Sequence, residues 1–411
     1  MRQVFRVGWM LGLATAVAAC TSLLGDFDVG TGDASSAGGG GASATGGGGA
    51  SSTGGAEPCP AGWRDCDGNP AGCEVDVTSD PQNCGACGAV CLAGGSCSAD
   101  GCSGVTEIAR GYSDAAFLAI YQDEVYWTAG DDAAGSVLKV SIHGGPITRL
   151  AAGQNAPYGI AVNAHGVFWS NLNAKRVMKV DHEGKEEPRW VVDSDYVTLG
   201  VVADEADVFW AQRAGSIGTP GNGSLIGRIR MPDGEADARF RRDDMTSPHL
   251  LALDEGHVYW VDRRERGGVN RTSRRDGGPT TRVANDQSFP YAVAVDRDHV
   301  YWVNNSSTNA SAVMRAPKDG RQAPKPVWVP SGEDDVRNQL PNSIAVDDED
   351  SYVYWTDQGA ARVWRKRKDG SGNQETLYRG GVPRGIVLHG DFVYWVNATP
   401  DGAVLKLRRP E

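Results

Sequence analysis

The sequence predicts an all-β chain: a β-propeller of seven four-stranded blades closed by an N-terminal strand, preceded by a small disulfide-rich module. Three observations predict it. A Val-aromatic-Trp triplet recurs seven times, ending at Trp127, Trp169, Trp210, Trp260, Trp302, Trp355 and Trp395. Four of the six intervals are 40–42 residues, the length of one four-stranded propeller blade, and the other two are 50 and 53. Eight cysteines crowd the stretch just ahead of the repeats, and none follows. A long run of small residues then separates all of this from an apolar N-terminus.

The first element is residues 1–19. Arg2 and Arg6 precede an apolar run through Trp9–Leu13, and small residues lead up to Val17, Ala18, Ala19 and Cys20. A basic end, a short apolar stretch and a small-residue cleavage site make a secretory signal. Two alanines followed by a cysteine resemble the lipobox of bacterial lipoproteins, with Val17 where leucine is commoner. That resemblance implies acylation of Cys20, anchoring in the membrane and placement in the cell envelope. Thr21, where aspartate commonly signals retention, favours the outer membrane or cell surface. The alternative is an ordinary cleaved signal with Cys20 as a free thiol. Residues 20–56 complete the anchor: from Gly30 to about Ala56 the chain is almost all Gly, Ser, Ala and Thr. Such a stretch is a flexible tether with a reach on the order of 30 Å.

Residues 57–103 hold Cys59, Cys66, Cys73, Cys84, Cys87, Cys91, Cys97 and Cys102. An even count in a short exported segment predicts disulfides, because so small a module lacks a sufficient apolar core. Sequence does not choose among the pairings. Zinc is the competing reading of the Cys84/Cys87 spacing. The oxidising compartment, the surplus of thiols and the absence of histidine in the segment weigh against it, so no metal and no cofactor are expected. Asp65-Cys66-Asp67-Gly68-Asn69 reads as a turn in preference to a calcium loop. The segment resembles short cysteine-rich modules of predicted surface proteins of Gram-negative soil bacteria, which implies location and little about chemistry.

Residues 104–411 carry the repeat. Each unit reads as an apolar strand (Pro157–Val162, Pro290–Val295), a tight polar turn, the Val-aromatic-Trp strand, a third strand with a basic residue, and a short fourth strand. The basic residues are Lys139, Lys179, Arg228, Arg271, Arg315, Arg365 and Lys406. Lys318-Asp319-Gly320 and Lys368-Asp369-Gly370 suit the hairpin between the last two strands. The pattern resembles the YWTD repeat of low-density-lipoprotein-receptor-type propellers. Tyr354-Trp355-Thr356-Asp357 matches it in full, Tyr259-Trp260-Val261-Asp262 nearly so, and the other five depart at the third or fourth position. The resemblance implies a propeller architecture and no receptor function. That family commonly has six blades, so six blades plus an irregular unit is the alternative. The last repeat stops after its third strand, at Leu405–Arg408, and Val105–Ala109 ahead of the first is an orphan strand. Pairing the two would close the ring without an open edge.

Function is less legible. The net charge of −12 disfavours nucleic acid as a partner. The long repeats carry their extra residues at 211–224 and 329–341, both on one face, and insertions confined to one face mark a candidate binding side. The position opening each innermost strand holds Ala116, Tyr158, Leu199, His249, Tyr291, Asn342 and Arg384. Tyr158, His249, Tyr291, Asn342 and Arg384 are therefore the candidate ligand-binding residues at the channel mouth. No catalytic residue is assigned: only His249 of the seven histidines falls there, and no nucleophile elbow, Walker loop or zincin motif occurs. The expectation is a tethered scaffold for a protein, peptide or glycan ligand. The alternative is a propeller hydrolase or lyase acting on an envelope or extracellular substrate.

Overall fold

The computed structural model describes residues 59–410, apart from 68–71, 93–94, 99–100, 131–133, 217–222, 233–235, 242–244, 307–309 and 332–338. The signal sequence, Cys20 and the tether lie outside the described residues.

The regular elements described are all strands, and they build seven blades. Blades 1 to 6 are antiparallel four-stranded sheets whose strands follow chain order. Blade 1, for example, comprises Leu118–Tyr121, Glu124–Ala129, Gly135–Ser141 and Thr148–Gln154. Blade 7 supplies three strands from the C-terminus, Pro383–His389, Phe392–Asn397 and Ala403–Arg408. Its fourth is Thr106–Arg110, paired from Ala403↔Arg110 to Lys406↔Thr106 with one bulge between Val404 and Leu405. The predicted closure is therefore observed, with seven blades and not six. A fifth strand extends this sheet: Val90–Cys91 of the cysteine-rich module pairs with Thr106 and Glu107. The module's cysteines are bridged 59–73, 66–87, 84–97 and 91–102.

The triplet explains the packing. Its valine and tryptophan face one side of the second strand and its middle aromatic the other, because strand side chains alternate. All seven tryptophans are buried between neighbouring sheets. Each removes on the order of 200 Å² from water, which at about 25 cal/mol per Å² is an upper bound near 5 kcal/mol. The middle aromatic lies across from the basic residue of strand three in every blade, from Tyr126↔Lys139 to Tyr394↔Lys406. These cations therefore brace the blades, with Lys139, Arg228 and Arg365 buried.

Neighbouring blades are also latched by polar groups. The residue just after strand three reaches the first turn of the preceding blade: Arg274 to Asp204 and Asp207, Lys318 to Asp254 at 2.7 Å, Lys368 to Asp296 at 3.2 Å, and Arg409 to Asp347 at 2.5 Å. In blades 1 and 3 the same place holds Ile142 and Met231, which pack against the apolar core instead. The aspartate ending the triplet strand in blades 4 and 6 accepts the N–H of the residue leading into the innermost strand, Asp262 from Ser247 at 2.6 Å and Asp357 from Leu340 at 2.9 Å. Blades 2 and 5 use another solution. Gln154 and Gln287, each ending the preceding blade, accept from the indole N–H of Trp169 and Trp302 and from the side chains of Asn171 and Asn304.

Candidate functional site

The seven innermost strands converge so tightly that a Cβ on Gly159, Gly200 or Gly385 would lie 2.6–2.8 Å from the backbone of the next blade. This close approach fixes what stands at the channel mouth.

Three of the five candidate residues come together there. Tyr158 of blade 2 and Tyr291 of blade 5 meet with their hydroxyls 2.6 Å apart, one donating to the other. His249 of blade 4 lies against both, with ring centroids 4.4 Å from Tyr291 and 6.1 Å from Tyr158. Its Nδ1 is 3.1 Å from the Tyr291 carbonyl oxygen, which makes Nδ1 the protonated donor. Phe117 packs edge-on to Tyr158 at 4.8 Å. The result is an aromatic bar across the channel. Burial, reinforced by the Arg263 charge, holds His249 well below the usual histidine range, so the imidazole is neutral. Burial, and then Tyr291, push the Tyr158 hydroxyl well above its ordinary value.

Arg384 acts on this group through its charge, which opposes the upward shift at Tyr158, while its carbonyl accepts from Thr356 Oγ1 at 2.5 Å. Asn342 turns to its own blade, donating to Gln358 at 3.3 Å, and is not part of the bar.

Two arginines and Phe117 were not anticipated. Arg213 and Arg263 each stand three residues after the triplet tryptophan, in blades 3 and 4. Arg263 lays its guanidinium over the Tyr291 ring at 4.4 Å. Burial and the nearby Arg263 charge lower the Arg213 pKa, and its charge in turn acts on His249. The signal was present in the repeat. The position three after tryptophan reads Gly130, Leu172, Arg213, Arg263, Asn305, Gln358 and Ala398, a second ring at the same mouth. Its N–H bonds the residue leading into the innermost strand, as in Leu172 to Ala156, Arg263 to Ser247 and Ala398 to Val382. Phe117 was missed because blade 1 begins its innermost strand late, at Leu118, so the aligned position, Ala116, is not the one that fills the mouth.

Further along the innermost strands lies a chamber of about 160 Å³. Leu118, Ile160, Val201, Leu251, Val293 and Ile344 are among the residues that line it, and Ser343 is its one polar side chain. On the opposite face, a shallow cleft of about 790 Å³ runs over the first turns of blades 4 to 6, past Asp254, Asp296, Lys318 and Asp347. Those groups are already engaged as latches. In the module, the carboxylates of Asp65, Asp67 and Glu74 lie within 4.8 Å of one another, all exposed. Cys84, Cys91 and Cys102 also cluster, but as disulfide sulfurs they are not thiolate ligands.

With the geometry established, comparison places the architecture. The chain is similar in fold to virginiamycin B lyase. The match to that enzyme from Staphylococcus aureus has a TM-score of 0.59 and 15% identity, covering 74% of this chain and 98% of that one. The RRP9 WD40 repeats match with a TM-score of 0.58 and 10% identity over 74% of this chain and 97% of theirs. Hydrazine synthase of Kuenenia stuttgartiensis matches with a TM-score of 0.59 and 14% identity over 72% and 96%. No family model and no curated protein matches the sequence. At these identities the likeness is one of fold, which hosts enzymes and binding modules alike.

Proposed function

We propose that the chain is an exported, lipid-anchored binding protein of the cell envelope, whose propeller is an interaction scaffold through its long-loop face. The observation that supports this reading best is the state of the mouth. Tyr158, His249, Tyr291 and Phe117 are locked into one another by ring contacts and hydrogen bonds, which gives a rigid, pre-organised surface at the side carrying the longest connections. Rigid placement of a few polar groups lowers the entropy cost of binding. Cys20 would supply the anchor and the Gly/Ser/Ala-rich residues 30–56 the reach.

A second reading, a propeller lyase or hydrolase, draws on the fold shared with virginiamycin B lyase. It would need a proton-transfer partner for His249, whose Nδ1 is engaged by a backbone carbonyl. One experiment separates the two. The full chain is applied to an array of envelope-derived glycans and peptides, and each retained ligand is re-examined by mass spectrometry. Ligand recovered unchanged supports the binding protein, whereas ligand consumed moves the assignment to the enzyme. In parallel, Cys20→Ser releases the chain from the membrane fraction if the anchor is as proposed.

A further inference from the structure

We propose that the mouth is a receptor for a carboxylate at the tip of a ligand, a peptide C-terminus, gripped by Arg213 and Arg263 beside the Tyr158–Tyr291 bar. The inference rests on the binding reading above and names its ligand class.

The chain as a whole is acidic, with a net charge of −12, yet the guanidinium groups of Arg213 and Arg263 both act on His249, with Arg263 lying over Tyr291, and the charge of Arg384 reaches Tyr158. Among the described residues, no carboxylate pairs with any of them, and the Nε atoms of Arg213 and Arg263 are buried without a hydrogen-bond partner. The four latch cations are used differently: Arg274, Lys318, Lys368 and Arg409 each sit on an aspartate. A buried donor left without an acceptor is costly, and like charges held together oppose one another until a counter-charge arrives. The mouth is therefore complementary to an oxyanion. A carboxylate offers two coplanar acceptor oxygens, the shape a guanidinium fork matches. Of the two tyrosine hydroxyls, one donates to the other, which leaves one O–H to aim at the anion.

The same geometry favours a peptide end over an acidic sugar. Sugars are held by stacking on open aromatic faces, and here Arg263 covers Tyr291 while Phe117 and His249 press on Tyr158. The bar also stops the channel, so the terminus of a chain reaches the arginines more readily than its middle.

The test is calorimetric titration of the full chain, produced in an oxidising compartment, with four probes: N-acetyl tri-alanine as the free acid, its C-terminal amide, acetate, and glucuronate. The free acid is expected to bind, with affinity falling as salt rises. The amide, and the Arg213→Gln/Arg263→Gln double variant with the free acid, are each expected to be roughly 10–100-fold weaker. Without ligand the double variant is expected to unfold in a single cooperative transition close to that of the parent, relief of mutual repulsion offsetting the lost Arg263–Tyr291 contact, and this separates loss of the site from loss of the fold. Equal binding of acid and amide would overturn the inference and leave the binding reading standing. Acetate binding as tightly as the peptide acid would also overturn it, reducing the mouth to an adventitious anion hole. Glucuronate binding while tri-alanine is silent would replace the peptide with an acidic sugar. Silence of all four probes overturns the carboxylate assignment, and the binding reading is then judged by the array experiment alone.

Discussion

Blade 3 offers a sharp test of the inter-blade packing. Opposite the triplet tryptophan, the third strand carries Leu138, Met178, Asn270, Met314, Trp364 or Leu405 in six blades but Gly227 in the third. Trp210 lies over that glycine: a Cβ there would sit 2.0 Å from Cζ2 and 2.3 Å from Cε2 and Cη2. Ordinary contact begins near 3.4 Å, so the indole would have to move by more than about 1 Å. Trp210 is fully buried and has nowhere to go. Overpacking of this kind costs about 1–3 kcal/mol, and three simultaneous clashes put Gly227→Ala at the upper end. Loss of glycine's backbone freedom returns about 0.5–1 kcal/mol, for a net loss of about 2 kcal/mol. For a compact unit spanning Ala56–Glu411, the unfolding entropy of about 2.1 cal/mol/K per residue makes this a fall in Tm of about 3 °C. The assay is thermal and urea unfolding of Gly227→Ala, Trp210→Phe and the double variant. Phenylalanine lacks the part of the indole that collides, so the double variant should lose less than the sum of the single losses, by at least about 1 kcal/mol. Strict additivity, or a Gly227→Ala protein as stable as the parent, would refute the packing argument.

Other expectations follow from buried charge and covalent structure. Burial pushes the Asp357 carboxyl up to about 6, although Ala360 and Leu340 donate to it. Between its ordinary value and about 6 the folded state holds the extra proton, so stability falls as pH rises through that window. Asp357→Asn should remove this slope and stabilise the protein at pH 8 by on the order of 2 kcal/mol, read by urea denaturation at pH 4.5 and 8. Burial works against the Asp254 charge, but Lys318, Tyr259 and the Gly256 N–H together lower it to about 2. Its contribution is complete above the ordinary carboxylate value and is lost as pH falls toward 2. Because the pair is only half-buried, Lys318→Met should cost about 1 kcal/mol at neutral pH, and a loss above about 3 kcal/mol would show that the latch behaves as a fully buried ion pair. Non-reducing peptide mapping should recover Cys59 with Cys73, Cys66 with Cys87, Cys84 with Cys97 and Cys91 with Cys102; any other pairing contradicts the module as described.

What the sequence made legible is what repeats. The valine, aromatic and tryptophan of each triplet occur in every blade because every blade solves the same packing problem, and the unfinished seventh repeat pointed to closure by Val105–Ala109, one residue from the observed strand Thr106–Arg110. The cysteine count announced disulfides, but pairing depends on how loops cross in space and left no trace in the spacing. The latches escaped notice because Arg274, Lys318, Lys368 and Arg409 act between blades and change to Ile142 and Met231 where an apolar contact does the same work. At the mouth, Tyr158, His249 and Tyr291 were visible as aligned positions. Arg213 and Arg263 were not, because they stand at the far end of the second strand, the one closing it and the other just beyond it, and Arg263 reaches Tyr291 from the preceding blade. Asn342 was selected by the same alignment as the tyrosines, and only three dimensions revealed that Gln358 claims it.

The fifth strand of blade 7 has a mechanical consequence. Any pull on the N-terminal side of the chain enters the propeller at its seam, through the strand that holds the circle shut. Without the module, that load would peel Thr106–Arg110 from Ala403–Arg408 one hydrogen bond at a time. With it, Val90–Cys91 grips the outer edge of the same strand, and the Cys91–Cys102 bridge carries force past the intervening loop. The cysteine-rich segment is thus a strain relief where the cord meets the housing, and reducing its bridges should weaken the ring under tension well before it alters the ring at rest.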